Sequence, residues 1–148
     1  MRFWLTVAII LIFDQVSKYL IITNMSLGQS IPVISGIINF TYIHNPGAAF
    51  GMLAGKSWVF YISAIIVISA LTFYYLKYST PFYAVIAMGL IVGGSIGNFI
   101  DRIRFDSVVD FIDLGWWPIF NIADIAIVVG GIVLIIYLFV ERSEEEWN

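Results

Sequence analysis

WVFYISAIIVISALTFYYL at residues 58–76, KYSTP at 77–81 and FYAVIAMGLIVGGSIGNFI at 82–100 decide the fold. Neither apolar run holds a charged residue, and each is close to the roughly 20 residues a helix needs to cross the hydrocarbon core of a bilayer. The connection between them is so short that two spanning helices must form an antiparallel hairpin. Working outward, 3–22 and 121–140 read as two more spans, the first interrupted by Asp14 and Lys18. Of the 148 residues, 61% are hydrophobic and 11% charged, where a soluble domain has about 45–50% and about 25%. The expectation is a single polytopic membrane domain over 1–148, mainly α, with four transmembrane helices. The arginine-led apolar start resembles a secretory signal, but no A-x-A-like site follows, so it reads as a retained first helix.

Segments 23–57 and 101–120 connect the spans. The first carries IINFTYI at 37–43, whose β-branched and aromatic residues predict a short strand or hairpin, a small β-rich surface segment between helices 1 and 2. The second carries charges and the pair Trp116-Trp117 and reads as interfacial. Lysine and arginine barely orient the chain. With both termini cytoplasmic, Arg2, Lys77 and Arg142 lie inside and Lys56, Arg102 and Arg104 outside, and the amino terminus tips the count towards that arrangement. Segments 23–57 and 101–120 are then extracytoplasmic. Gly89, Gly93 and Gly97 recur every four residues and give one smooth helix face for close packing.

The absence of cysteine excludes disulfides, thiolate metal sites and a cysteine nucleophile. One histidine, His44, is too few for a His-rich metal site, so neither metal nor cofactor is expected. A formal net charge of −3 offers no footprint for nucleic acid. All four glutamates stand in the last eight residues, a solvated tail; every other acid is an aspartate: Asp14, Asp101, Asp106, Asp110, Asp113 and Asp124.

A carboxylate within a span costs roughly 2.5–3.5 kcal/mol on insertion scales, which singles out Asp14 and Asp124. Asp14 and Lys18 are spaced i,i+4 with the acid first, the favourable order for an ion pair. Asn98, Asp101 and Arg102 share one quadrant at the end of span three. Asn121 and Asp124 have the spacing of an N-cap and its third position, where free N–H groups favour a carboxylate. The 101–120 connection must also bring Asp110 back to the mouth of span four. Two carboxyls about 3 Å apart cannot both ionise, so one keeps a proton while the other takes one from water. Asp110 and Asp124 are therefore the candidate acid–base pair. The match of residues 93–97 to G-x-S-x-G lies inside an apolar helix and lacks the strand that such an elbow needs. A Ser17–Lys18 dyad is poorly aimed, because neighbours stand about 100° apart on a helix.

Five blocks then carry a resemblance: DQVSK at 14–18, HNPGAAF at 44–50, GGSIGNFIDR at 93–102, VVDF at 108–111 and FNIAD at 120–124. In this order and spacing they resemble signal peptidase II, the lipoprotein signal peptidase family of bacterial membrane aspartic peptidases. One departure is visible, Asp106-Ser107 where the family usually has a glycine before VVDF. The resemblance implies that Asp110 and Asp124 are the catalytic dyad, with Asp14, Lys18, Asn45, Gly47, Asn98, Asp101, Arg102 and Asn121 binding substrate or supporting the site. It implies a prolipoprotein substrate bearing a diacylglyceryl group, cleaved on the amino side of the lipidated cysteine. Membrane lipid is the other expected partner, with the protein a monomer in the bacterial inner membrane and its site near the extracytoplasmic face. The rivals are a proton-coupled transporter, which would carry internal repeats that this chain lacks, and a scaffold built on the glycine face.

Overall fold

The computed structural model describes residues 1–47 and 57–145; the readings made on Ala48, Ala49, Phe50, Gly51, Gly55, Lys56 and Glu146 lie outside them. Helix α1 (Arg2–Asn24) leads into strands β1 (Ser30–Ile34) and β2 (Ile38–Asn45). Helices α2 (Ser57–Lys77) and α3 (Phe82–Phe105) follow, then strand β3 (Val108–Asp113) and helix α4 (Ile122–Glu145). All four helices are long and apolar enough to cross a membrane. Leu5, Phe13, Ile66, Leu76 and Phe139 point outward, the surface a lipid solvent requires.

Helix α3 is the axis. Its small residues let α1 and α4 approach from two sides, which matters because apolar burial alone does not drive helices together in lipid. A Cβ on Gly93 would stand 3.0 Å from the Val7 carbonyl of α1, and one on Gly94 2.5 Å from the Ala123 carbonyl of α4. The every-fourth-residue face thus packs on α1, and its neighbour Gly94 seats the first turn of α4. Gly94→Ala is expected to cost about 1–3 kcal/mol by overpacking. Gly131→Ala, which would meet nothing within 4 Å, should leave thermal unfolding in detergent unchanged.

The 37–43 strand forms, as half of a hairpin. The sheet is antiparallel in the order β1-β2-β3, and its third strand comes from the connection between α3 and α4, beyond the segment read as β-rich. Asn45 pairs with Val108 and Ile43 with Asp110. Val108 to Phe111 are all buried, so the strand lacks the half-exposed alternation that marks a surface strand in sequence. Val109 and Phe111 pack with Ile21 and Tyr42, which fixes the sheet over the end of α1. Helix α3 also runs past the expected end at residue 100 to Phe105. Asp106 then closes it in the left-handed conformation, φ 52° and ψ 22°. That geometry favours glycine, and aspartate is among the few residues that tolerate it.

Candidate active site

At the sheet end of the bundle the backbone brings four segments together. Phe120 closes the 113–120 loop on β3: its carbonyl accepts the Ile112 N–H at 2.8 Å and its own N–H donates to the Ile112 carbonyl at 3.1 Å. Asn121 and α4 therefore start beside Asp110. Asn121 caps α4 reciprocally. Its Oδ1 accepts the Asp124 N–H at 2.9 Å, and its own N–H donates to Asp124 Oδ2 at 3.2 Å, a capping box built from Asn and Asp. The Asn121 Nδ2 donates to Asp110 Oδ1 at 2.7 Å, so one fully buried asparagine holds both carboxylates.

The other oxygen of each carboxylate also accepts a hydrogen bond. Asn45 Nδ2 donates to Asp110 Oδ2 at 2.8 Å, while Asn45 Oδ1 takes the Gly47 N–H at 3.0 Å, a short turn that aims the amide. Asn98 Nδ2 donates to Asp124 Oδ1 at 2.8 Å. Asp110 and Asp124 share a cavity of about 300 Å³ with Asn45, Gly47, Asn98 and Arg102, walled by Trp117 and Phe120. Arg102 stacks its guanidinium over Phe60, 4.5 Å from the ring centroid, and donates to the Asn98 carbonyl at 3.4 Å. Burial pushes the Asp110 carboxyl up to about 7, and the neighbouring Asp124 charge adds to the rise; the Asn45 and Asn121 amides oppose it.

Behind the cavity lies a buried ionic cluster. Lys18 Nζ meets Asp14 Oδ2 at 2.9 Å, Asp101 Oδ2 at 2.8 Å and Asn98 Oδ1 at 3.0 Å, which uses all three of its N–H groups. The Asp14–Lys18 pair thus forms as its spacing predicts, with Asp101 as a second acid. Asp14 Oδ1 accepts the Ala123 N–H at 3.0 Å, anchoring the start of α4. Asp101 Oδ2 accepts the Val109 N–H at 3.1 Å, anchoring β3 one residue from Asp110. The ten residues singled out from sequence divide into two shells. Asp110, Asp124, Asn45, Gly47, Asn98 and Arg102 line the cavity; Asp14, Lys18, Asp101 and Asn121 hold it from behind. Within the shared quadrant, Asp101 turns to Lys18 while Asn98 and Arg102 face the opening.

Four further polar residues near the site lie outside that set. Gln15 Nε2 donates to Asp14 Oδ2 and Asp101 Oδ1, both at 3.1 Å, bridging the two acids that Lys18 also bridges. An amide inside an apolar span was the available signal. Ser107 and Tyr42 flank His44. Ser107 Oγ donates to the Phe105 carbonyl at 3.0 Å and lies 2.8 Å from His44 Nδ1; Tyr42 Oη lies 2.8 Å from Nε2. This chain ties β2 to the end of α3, and only the folded register brings its members together.

A family model described as signal peptidase (SPase) II matches residues 6–140. A lipoprotein signal peptidase of Syntrophomonas wolfei is 45% identical over 148 residues, covering 100% of this chain and 99% of the relative. Its counterpart in Moorella thermoacetica is 46% identical, covering 98% and 97%. A bacterial membrane enzyme solved by the in meso method at 2.3 Å superposes with a TM-score of 0.90 at 41% identity, over 96% of this chain and 90% of that one. The resemblance read from five short blocks therefore extends over the whole chain and its fold, and this membrane protein belongs to the signal peptidase II family of peptidases.

Proposed function

We propose that the chain is an aspartic endopeptidase that removes the signal peptide of prolipoproteins, cleaving on the amino side of a cysteine that already bears diacylglycerol. The observation that carries the mechanism is the joining of Asp110 and Asp124 through Asn121 in one cavity, with Asp110 pushed up to about 7. At rest the pair holds a single proton, on Asp110. Asp124 takes a proton from water as the water oxygen bonds to the scissile carbonyl carbon, and Asp110 gives its proton to the carbonyl oxygen. Transfer of the proton from Asp124 to the amide nitrogen lets the C–N bond break. Asp110 recovers its proton as the carbonyl re-forms, leaving a new carboxyl end on the signal peptide and a free amine on the lipidated cysteine.

Asn45, Asn98 and Asn121 hold the pair, and Arg102 faces the same cavity with a charge suited to a carbonyl row or a headgroup. The sheet, set over this end of the bundle, would cradle the peptide from outside the membrane. The site then lies near the extracytoplasmic face, with both termini cytoplasmic and the protein acting as a monomer.

The test is direct. Purified protein in lipid nanodiscs should release the signal peptide from a diacylglyceryl-modified prolipoprotein, and mass spectrometry should place the new amino terminus at the modified cysteine. An intact substrate, or a cut elsewhere, removes the reading.

A further inference from the structure

The ladder that carries Asn45 to Asp110 is interrupted. Phe40 pairs with Ile112 and Ile43 with Asp110, so three steps along β2 match two along β3, a bulge with one extra residue. Beyond it come the last three pairs, of Ile43, His44 and Asn45, and a slip of one residue there would turn the Asn45 amide away from Asp110. A run of side-chain hydrogen bonds spans the bulge. Tyr42 is fixed by its backbone, whose N–H donates to the Gln29 carbonyl at 3.0 Å and whose carbonyl accepts the Gly28 N–H at 2.8 Å. Ser107 stands just before β3 and gives its one hydrogen to the Phe105 carbonyl at 3.0 Å. Its Oγ therefore accepts from His44 Nδ1, and Nε2 of the neutral ring accepts the Tyr42 hydroxyl, both at 2.8 Å. Phe105 meets the same ring edge to face, with centroids 5.3 Å apart. Tyr42 and Ser107 are both buried, which keeps water from competing at either end.

We infer that His44 is a positioning residue for the aspartate pair: held between Tyr42 and Ser107, it locks the end of β2 to the start of β3 and so keeps the Asn45 amide on Asp110. Its part in the rate rests on the peptidase reading above; its part in the geometry does not. Among the described residues, His44 does not line the aspartate cavity, so it acts through its neighbour and not on a substrate. Asn45 Oδ1 is engaged by Gly47, only two residues on, so the amide goes wherever the strand end goes. The contact matters most when Asp110 has given up its proton, because an N–H bond to a carboxylate is stronger than one to a neutral carboxyl. A displacement of about 1 Å at a group that orients the reacting atoms can cost about 10²-fold in rate.

The experiment follows kcat, KM and the Asp110 titration, the last as the carboxyl resonance of isotope-labelled aspartate that is missing in Asp110→Asn. His44→Ala and Ser107→Ala should each lower kcat about tenfold on a diacylglyceryl-modified prolipoprotein and leave KM within about twofold. Ser107→Ala removes a hydroxyl only and serves where His44→Ala accumulates poorly. Both should move the Asp110 titration to higher pH, because the Asn45 amide is one of the groups that oppose its rise. The charges that face Asp110, from Asp124 of α4, Arg102 of α3 and Lys18 of α1, are untouched by these changes, so the shift reports the amide. Asn45→Ala should give the same shift, and His44→Ala added to it should lower kcat no further. His44→Asn returns an N–H donor to the place of Nδ1 and should recover most of the rate. Losses that multiply in the double variant, or slow cleavage with the Asp110 titration of wild type, would make His44 a prop of the fold alone. Those results, or a His44→Ala protein unchanged in both kcat and titration, overturn the proposal. If wild type cuts no substrate the peptidase reading falls, and the Asp110 titration still decides whether His44 sets the amide.

Discussion

Asp110→Asn and Asp124→Asn are each expected to lower cleavage by about 10²–10⁴-fold, the scale of a lost general acid or base, while circular dichroism reports unchanged helix content. An amide fills the space of a carboxyl but cannot exchange its proton in the way the reaction needs. The pH dependence separates the two variants. Burial first, and the Asp124 charge second, raise the Asp110 carboxyl to about 7 from an unfolded value near 3.9. Between those values the folded protein binds a proton that the unfolded chain does not. The Asp110 contribution to stability is therefore fully present below about pH 4 and lost as pH rises through about 7. The same loss of the proton should set the alkaline limb of kcat/KM near pH 7. Thermal unfolding from pH 5 to 8 should show that decline in wild type and a flatter profile in Asp110→Asn. In Asp124→Asn the decline should move to lower pH, because one of the two causes of the raised value is gone. Full activity in either variant would remove the dyad, and identical pH profiles in wild type and Asp110→Asn would remove the raised carboxyl.

Sequence gave access to interactions that are local or set by solvent. The spans are legible because a bilayer demands length and apolarity, and the Asn121–Asp124 capping box and the Asp14–Lys18 pair because three- and four-residue spacings fix neighbours on a helix. β3 was not legible. Its pairing partner is β2, far away in the chain, and burial of successive residues from Val108 to Phe111 erases the two-residue alternation that would mark it. The extension of α3 to Phe105 was hidden for a related reason. Asp101, Arg102 and Arg104 resemble an interfacial end, yet Asp101 is buried by Lys18 from another helix. Gln15 is marked in sequence only as an amide inside an apolar span, and its bridging of Asp14 to Asp101 exists only once α3 packs on α1.

Those non-local contacts explain why a small protein tolerates so much polarity in its core. The paired carboxylates Asp110 and Asp124 come from β3 and α4, which in turn are held by backbone bonds to Asp101 and Asp14. Lys18 bridges those two anchors and, through Asn98, reaches Asp124 itself. Positioning of the site and cohesion of the helices thus share one cation.

Lys18→Met should accordingly be the most destabilising single change in the bundle, costing about 3–5 kcal/mol by leaving two buried carboxylates facing each other without their cation. Lys18, Asp14 and Asp101 are 2%, 0% and 2% exposed, so water cannot replace the lost charge without opening the helices. The loss should appear as a large drop in thermal unfolding temperature in detergent and as poor accumulation in the membrane. The triple variant Lys18→Met, Asp14→Asn, Asp101→Asn removes all three charges and keeps an amide oxygen for the Ala123 and Val109 N–H groups, so it should regain most of the stability. Cleavage should not return with it. Asn98 Oδ1 would keep only the Asn121 Nδ2 donor at 3.1 Å and lack Lys18, which loosens the hold of its Nδ2 on Asp124. Recovery of stability without recovery of rate separates charge balance from orientation of the dyad. A Lys18→Met protein as stable as wild type, or a triple variant no better than the single, would show that the ionic cluster does not bind this bundle together.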